Sequence, residues 1–188
     1  MDVTSSTSPT SVAIQPGRWL IDPAHSQATF AVRYAGLTTV RGTIDIIDSA
    51  LDVEEDFLMS SVTAHLDPSS VHTGVQARDA HLRSADFFDV ARQANMMFTS
   101  TKISAHADHF VVTGVLTIRG VSREVALTTR FNGAVLDPFG SQRAGFTSHT
   151  SVTRSSFNMN FNMPMPAGGW LLSDTVDIDL EISLVRAS

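Results

Sequence analysis

The chain has no cysteine among its 188 residues. A disulfide scaffold, thiolate catalysis and Cys-held metal or iron–sulfur sites are therefore excluded. Positive charge is also scarce. Lys and Arg total 13 against 19 acidic residues, for a formal net charge of -6. The basic residues never form a dense run, so no nucleic-acid partner is expected. No apolar run approaches the length of a membrane helix, and stable membrane insertion is not expected. The glycines at 36, 42, 114 and 120 are isolated and spell neither GxxxxGK[ST] nor GxGxxG. The histidines at 65, 72, 81, 106, 109 and 149 form no HExxH or HxH, so no metal is expected. No pair of carboxylates can be assigned as acid and base.

What is present is alternation. Apolar residues make up 43% of the chain, enough for a core in a single domain. Met1 to Gln15 is small and polar and reads as a flexible arm, with the domain running from Pro16 to Ser188. The arm lacks the basic start and apolar centre of a secretory leader. With Met1 read as the natural start, a cytoplasmic location is expected. Trp19 to Tyr34 opens as WLIDPAHS and then alternates, with Ala28, Phe30, Val32 and Tyr34 on one face. Further strands are predicted around Val40–Ile47, Leu58–Leu66, Asn95–Thr101, Phe110–Ile118, Glu124–Phe131 and Ala144–Thr153. Pro68 is expected to close the strand around Leu58–Leu66. Val176, Ile178, Leu180, Ile182 and Leu184 alternate with polar residues and mark the clearest strand. One helix is expected over Val71–Leu82, capped by Ser69 or Ser70. DPFG at 137–140 has strong turn chemistry.

This pattern makes an all-β fold of about eight antiparallel strands with one short helix. Either a sandwich or a barrel hides the apolar faces. Hairpin links favour closure, and eight strands enclose room for one small ligand. The helix is expected near the mouth.

The residues then carry a resemblance. IDPAHSQATFAVRY, VRG at Val40–Gly42, VHTGVQARDAHLRSADFFD, VTGVLTIRGVSREVAL and TRSSFNM, in this order, resemble the YceI-like family. They cover nearly everything from Trp19 to Val185. The resemblance implies an extended lipocalin-like antiparallel barrel whose apolar tunnel binds polyisoprenoid chains. It also implies a homodimer, and it reads Arg41–Gly42 as an early turn. Some positions depart from the family pattern. Tyr34 stands where histidine is common, ARQANMMF replaces a tyrosine–proline pair, and Asn158 stands where glycine is common.

Several residues invite a role. His25 could meet a ligand head group or tie a loop to Asp22. Ser26 beside it points to the opposite strand face, which makes a poor nucleophilic dyad. Arg78 could grip an acidic head, and Asp79 could pin the helix to the barrel. For the tail, Phe30, Val32, Tyr34, Phe87 and Phe98 are expected to line the tunnel. Phe131, Phe146, Phe157, Met159 and Met163 are expected to join them. Methionine-rich walls suit a flexible alkyl chain. The segment Asn160–Gly169 is expected to cover the mouth or a neighbouring subunit.

The expected function is a soluble carrier for a long apolar ligand, such as a polyisoprenoid, an isoprenoid quinone or a fatty amide. It would act by sequestration or transfer, with no catalytic residue and no cofactor. Two alternatives compete with it. One is a structural or stress-associated interaction module with a solidly packed barrel. The other is an enzyme on a hydrophobic substrate, using His25, Asp79 and His81.

Overall fold

The computed structural model describes residues 14–187. Nine strands follow in chain order: β1 (Gly17–Ile21), β2 (Gln27–Tyr34), β3 (Thr38–Val53), β4 (Ser61–His72), β5 (Met96–Ala105), β6 (Phe110–Ile118), β7 (Val121–Leu136), β8 (Gln142–Thr153) and β9 (Leu172–Arg186). One α-helix, α1 (Gln76–Arg83), lies between β4 and β5. Every pairing is antiparallel, and the order β3-β2-β9-β8-β7-β6-β5-β4 returns to β3, which closes an eight-strand barrel.

The ninth strand does not add a ninth stave. β1 pairs with β3 at Gly17↔Val53 to Leu20↔Ala50, and with β9 at Trp19↔Arg186 to Ile21↔Leu184. β2 fills the same slot further along, at Ala28↔Ile44 with β3 and Ala28↔Leu180 with β9. The stretch Trp19–Tyr34 is thus one stave, broken where Pro23 removes a ladder donor and starts a 3₁₀ turn, Pro23–His25. Asp22 caps that turn by accepting from the Ala24 N–H.

The strands set two ends. At one lie the β2–β3 hairpin, α1 and its following loop, the β6–β7 turn and the long β8–β9 connection. The β6–β7 turn is a two-residue hairpin between Ile118 and Val121. Both of its residues have positive φ, Arg119 at 53° and Gly120 at 72°, as the twist of tight hairpins requires. At the other end, Ile14, Trp19, Leu51, Phe146 and Leu184 form a buried cluster. Trp19 is 1% exposed there, and its indole N–H donates to the Gln15 carbonyl at 3.0 Å. Residues 14 and 15 of the expected arm therefore rest on the barrel; residues 1–13 lie outside the described residues.

Three local expectations are corrected. β4 does not stop at Pro68 but runs on to His72. The β3–β4 register slips between Asp45↔Asp67 and Thr43↔His72, so Pro68 sits in a bulge where no ladder donor is needed. Ser70 Oγ accepts from the Asp45 N–H at 2.8 Å inside that bulge. The helix consequently begins at Gln76 rather than Val71, with Val75 at its N-cap and no side-chain cap bond. Finally, Arg41 and Gly42 are not in a turn. They lie within β3, with Gly42 directly opposite Phe30.

Candidate ligand-binding interior

The barrel is hollow. An upper cavity of about 270 Å³ lies at the helix end, and a lower one of about 140 Å³ reaches toward the Trp19 cluster. They share Leu66, Met96 and Ile178 in their walls, so the two chambers adjoin at the neck these side chains form. The inward face of β9 shows the consequence of hollowness. Val176, Ile178 and Leu180 are only half-buried, although all three line a cavity wall.

The walls follow strand alternation. Phe30 and Val32 from β2, Ile44 from β3, and Val176 from β9 face the upper chamber. Phe98, Leu116, Leu127 and Leu180 face the lower one. Polar side chains are few: Ser49, Thr129, Ser148 and Thr150 below, and Thr29, Tyr34, Arg78, His81 and Arg154 above. Thr129 Oγ1 and Ser148 Oγ lie 2.9 Å apart and satisfy each other.

Two glycines make room for the aromatic walls. A Cβ on Gly42 would lie 2.5 Å from Phe30 Cζ, and one on Gly114 would lie 2.5 Å from Phe98 Cζ. Each ring thus covers bare backbone, which lets it lie flat along the wall rather than cross the lumen.

The mouth is at the helix end. Tyr34 lines the upper chamber and is 43% exposed, whereas no side chain lining the lower chamber is exposed. Across the mouth, α1 and its following loop contribute His81, Leu82, Phe87 and Phe88. The His81 ring stands edge-on to Phe87 at 5.1 Å and to Phe161 at 4.7 Å. Its Nε2 lies 2.8 Å from Asp86 Oδ2.

Asp79 holds this helix in place. It is buried, and its Oδ1 accepts from the Thr73 N–H at 2.9 Å and from the Thr73 hydroxyl. His72 Nδ1 lies 3.3 Å from its other oxygen. The Thr73 hydroxyl, followed by its N–H and the nearby charges of His72 and Arg83, keeps the Asp79 carboxyl below the usual range despite burial. Arg78 spends Nε on Thr73 Oγ1 at 2.7 Å and one terminal nitrogen on the Thr73 carbonyl at 3.0 Å.

Arg154 is the residue that sequence reasoning missed. It is 5% exposed and lines the upper chamber. Its Nε donates to the Ser173 carbonyl at 2.9 Å, and Nη1 donates to the Met159 and Phe161 carbonyls at 2.6 and 2.8 Å. Burial pushes its guanidinium pKa down, opposed by the Asp174 charge. Asn158 closes the preceding 3₁₀ turn at φ 60°, a left-handed position asparagine tolerates.

The expected wall residues divide. Phe30, Val32, Tyr34, Arg78, Phe87 and Met159 meet in the upper chamber, and Phe98 and Phe146 in the lower. Four belong elsewhere. His25 sits on the outside with its side chain 68% exposed, bound to Asp22 at 2.8 Å, because the Pro23 turn lifts it off the strand. Phe131 packs on Phe146 at 5.2 Å in the core and borders neither chamber. Phe157 is 1% exposed and buried in the core, drawn in by the 3₁₀ turn Arg154–Phe157. Met163 is 53% exposed on the rim. His25, Asp79 and His81 therefore do not converge on one cavity, which removes the geometry suggested for an enzyme.

The family model for the YceI-like domain matches residues 19–184. The chain belongs to the YceI-like family. A UPF0312 protein of Staphylococcus aureus (strain USA300) is 32% identical over 160 residues, covering 84% of this chain and 91% of that protein. The YceI-like barrel also superposes on solved structures. BcnA of Burkholderia cenocepacia has a TM-score of 0.74 at 19% identity, covering 87% of this chain and 98% of BcnA. A polyisoprenoid binding domain from Saccharophagus degradans has a TM-score of 0.66 at 13% identity, covering 92% and 100%. At these identities the two structures show a shared fold. Among the described residues, no helix is long and apolar enough to cross a membrane, and no three acidic or histidine side chains gather as a metal site.

Proposed function

We propose that this YceI-like protein is a carrier that encloses one long apolar chain, a polyisoprenoid, an isoprenoid quinone or a fatty amide, and releases it unchanged. The observation that carries the reading is the two-chamber interior, apolar along its length and joined at Leu66, Met96 and Ile178. A solidly packed barrel, the form a purely structural module would take, has no such space. The Saccharophagus degradans neighbour is described as a polyisoprenoid binding domain, and it shares this architecture. Burial of each methylene contributes about 0.8 kcal/mol, so a tail needs no polar code to be held. Sequestration or transfer requires no covalent step.

A homodimer fits the same reading. Among the described residues, closure leaves no open sheet edge for pairing, so two barrels would have to meet through side chains. Native mass spectrometry of gently purified protein tests the function. A retained neutral or amphiphilic chain is the expected result; a barrel free of any such mass, and unable to take one up from micelles, would overturn it.

A further inference from the structure

The rim of the mouth carries a group of large apolar side chains that no part of the described chain covers. Leu37 is 80% exposed, Trp170 61% and Met163 53%. They come from two adjoining loops. The Ala35 N–H in the β2–β3 hairpin donates to the Leu171 carbonyl at 2.6 Å, and the Leu171 N–H donates to the Met163 carbonyl at 2.9 Å. Pro164 pairs with Trp170 across a bridge. Methionine and tryptophan are thus presented on a braced platform beside the opening.

Arginine is in excess at the mouth end. The connections at the mouth end, residues 33–41, 72–95, 118–123 and 154–174, hold eight arginines and four aspartates. The connections at the closed end, residues 52–61, 105–110 and 136–142, hold six acidic residues, and arginines of the flanking strands pair with three of them: Arg18 with Asp52, Arg130 with Asp108 and Arg143 with Asp137. Of the mouth-end arginines, Arg33, Arg41, Arg92 and Arg123 are exposed. The molecule as a whole is acidic, so this end would face a negatively charged surface against the sign of the net charge.

We propose that the mouth end is a docking surface for anionic lipid bilayers. Leu37, Met163 and Trp170 enter the interfacial layer, the exposed arginines lie against the headgroups, and the opening is held on the reservoir of apolar chains. Tryptophan at an apolar–polar boundary and arginine over an anionic surface are the side chains such an interface favours. A second exposed group, Val135, Leu136 and Phe139, lies at the closed end. It lies beside no opening, and the one basic side chain next to it, Arg143, is taken up by Asp137 and Asp22, so it should take no part. The inference extends the carrier reading, but docking is measured without reference to cargo. It can therefore fail while ligand retention stands.

The chain supplies its own reporter. Trp19 is 1% exposed at the closed end, and Trp170 is exposed on the rim. A blue shift of tryptophan emission on adding vesicles therefore reports Trp170. The full chain would be titrated with phosphatidylcholine vesicles with and without one-third phosphatidylglycerol. A blue shift with the anionic vesicles, weakened by salt and abolished by Trp170→Phe, is expected. By flotation, Leu37→Asp with Met163→Asp should weaken binding, and Arg41→Glu with Arg92→Glu should weaken it about tenfold or more. Phe139→Asp should leave it unchanged. No shift with anionic vesicles, equal binding to neutral ones, or loss of binding only in Phe139→Asp would overturn the proposal. So would a blue shift that follows protein concentration without lipid, because the rim would then be covered by a second copy.

Discussion

Replacing Ile178 with phenylalanine would place a ring at the neck that joins the two chambers. Ile178 lines both, and it stands in β9 opposite Phe30 and Thr150. A chain entering past Tyr34 must pass this point to reach the lower chamber. That chamber, about 140 Å³, is close to the roughly 150 Å³ that accepts a benzene-sized guest, so it takes roughly five or six carbons of a tail. At about 0.8 kcal/mol per methylene, losing them removes about 4 kcal/mol before ordering costs are subtracted. The upper bound on the effect is therefore close to a thousandfold in affinity. The assay is displacement of a fluorescent apolar probe by short and long members of one alkyl series. Short chains, held in the upper chamber, should bind the variant as they bind the parent; long chains should lose their advantage. Chemical unfolding controls for overpacking, which costs about 1–3 kcal/mol. Equal losses for short and long chains, or undiminished binding of long ones, would refute the idea of a single interior entered from the helix end.

Gly114→Ala and Gly42→Ala should each cost about 1–3 kcal/mol or more in urea unfolding, since the new Cβ would lie within 3 Å of backbone oxygen as well as a ring. Gly145→Ala, whose nearest neighbour is Asn132 Cβ at 3.5 Å, should shift stability by less than about 0.5 kcal/mol; equal costs at all three would contradict the wall geometry. Arg154→Met should cost about 3 kcal/mol or more by stranding three carbonyls and should increase proteolysis of residues 159–173; an unchanged denaturation midpoint would count against the role given to Arg154. The Arg143 guanidinium, as the largest influence on each, holds both Asp22 and Asp137 below the ordinary value of 3.8. Groups depressed on folding contribute stability above their unfolded value and lose it as pH falls through the folded one. Urea midpoints should therefore hold from neutrality down to about pH 4 and drop below it, and Arg143→Met should flatten that acid limb; a limb of the same slope in the variant would place its origin elsewhere.

Much of the architecture was legible because alternation is a local signal. The inward series Val176, Ile178, Leu180, Ile182 and Leu184 alternates in the sequence as it does in β9, and the chamber walls follow from it. Legibility failed where a side chain's position depends on a distant segment. Pro68 looks like a strand end unless the slipped β3–β4 register is known. Arg154 looks like a surface charge at a strand terminus; it is buried because the β8–β9 connection folds back to offer it three carbonyls. Phe131 and Phe157 read as tunnel walls by residue type, yet one packs against Phe146 and the other is turned into the core. His25 alternates correctly with the strand, but Pro23 breaks that strand just before it. Met163 has the chemistry of a wall and the position of a rim. Residue type specified the interior's character; chain return specified which residues reach it.

The shared stave of β1 and β2 also bears on how the protein is made. Its partner on one side, β3, follows almost at once, but its partner on the other is β9, with Thr29 and Asp179 meeting across 150 residues. Hairpins from β3 through β8 can form as they emerge, since each pairs with its neighbour in sequence. The seam between β2 and β9 cannot. Contacts of such long separation form slowly because loop closure must be met first. Until that seam is sewn, the apolar inner faces are open along one side to water and to any hydrophobic neighbour. Closure of the β2–β9 seam is therefore expected late in folding, and only completion of β9 makes the mouth the way in and out.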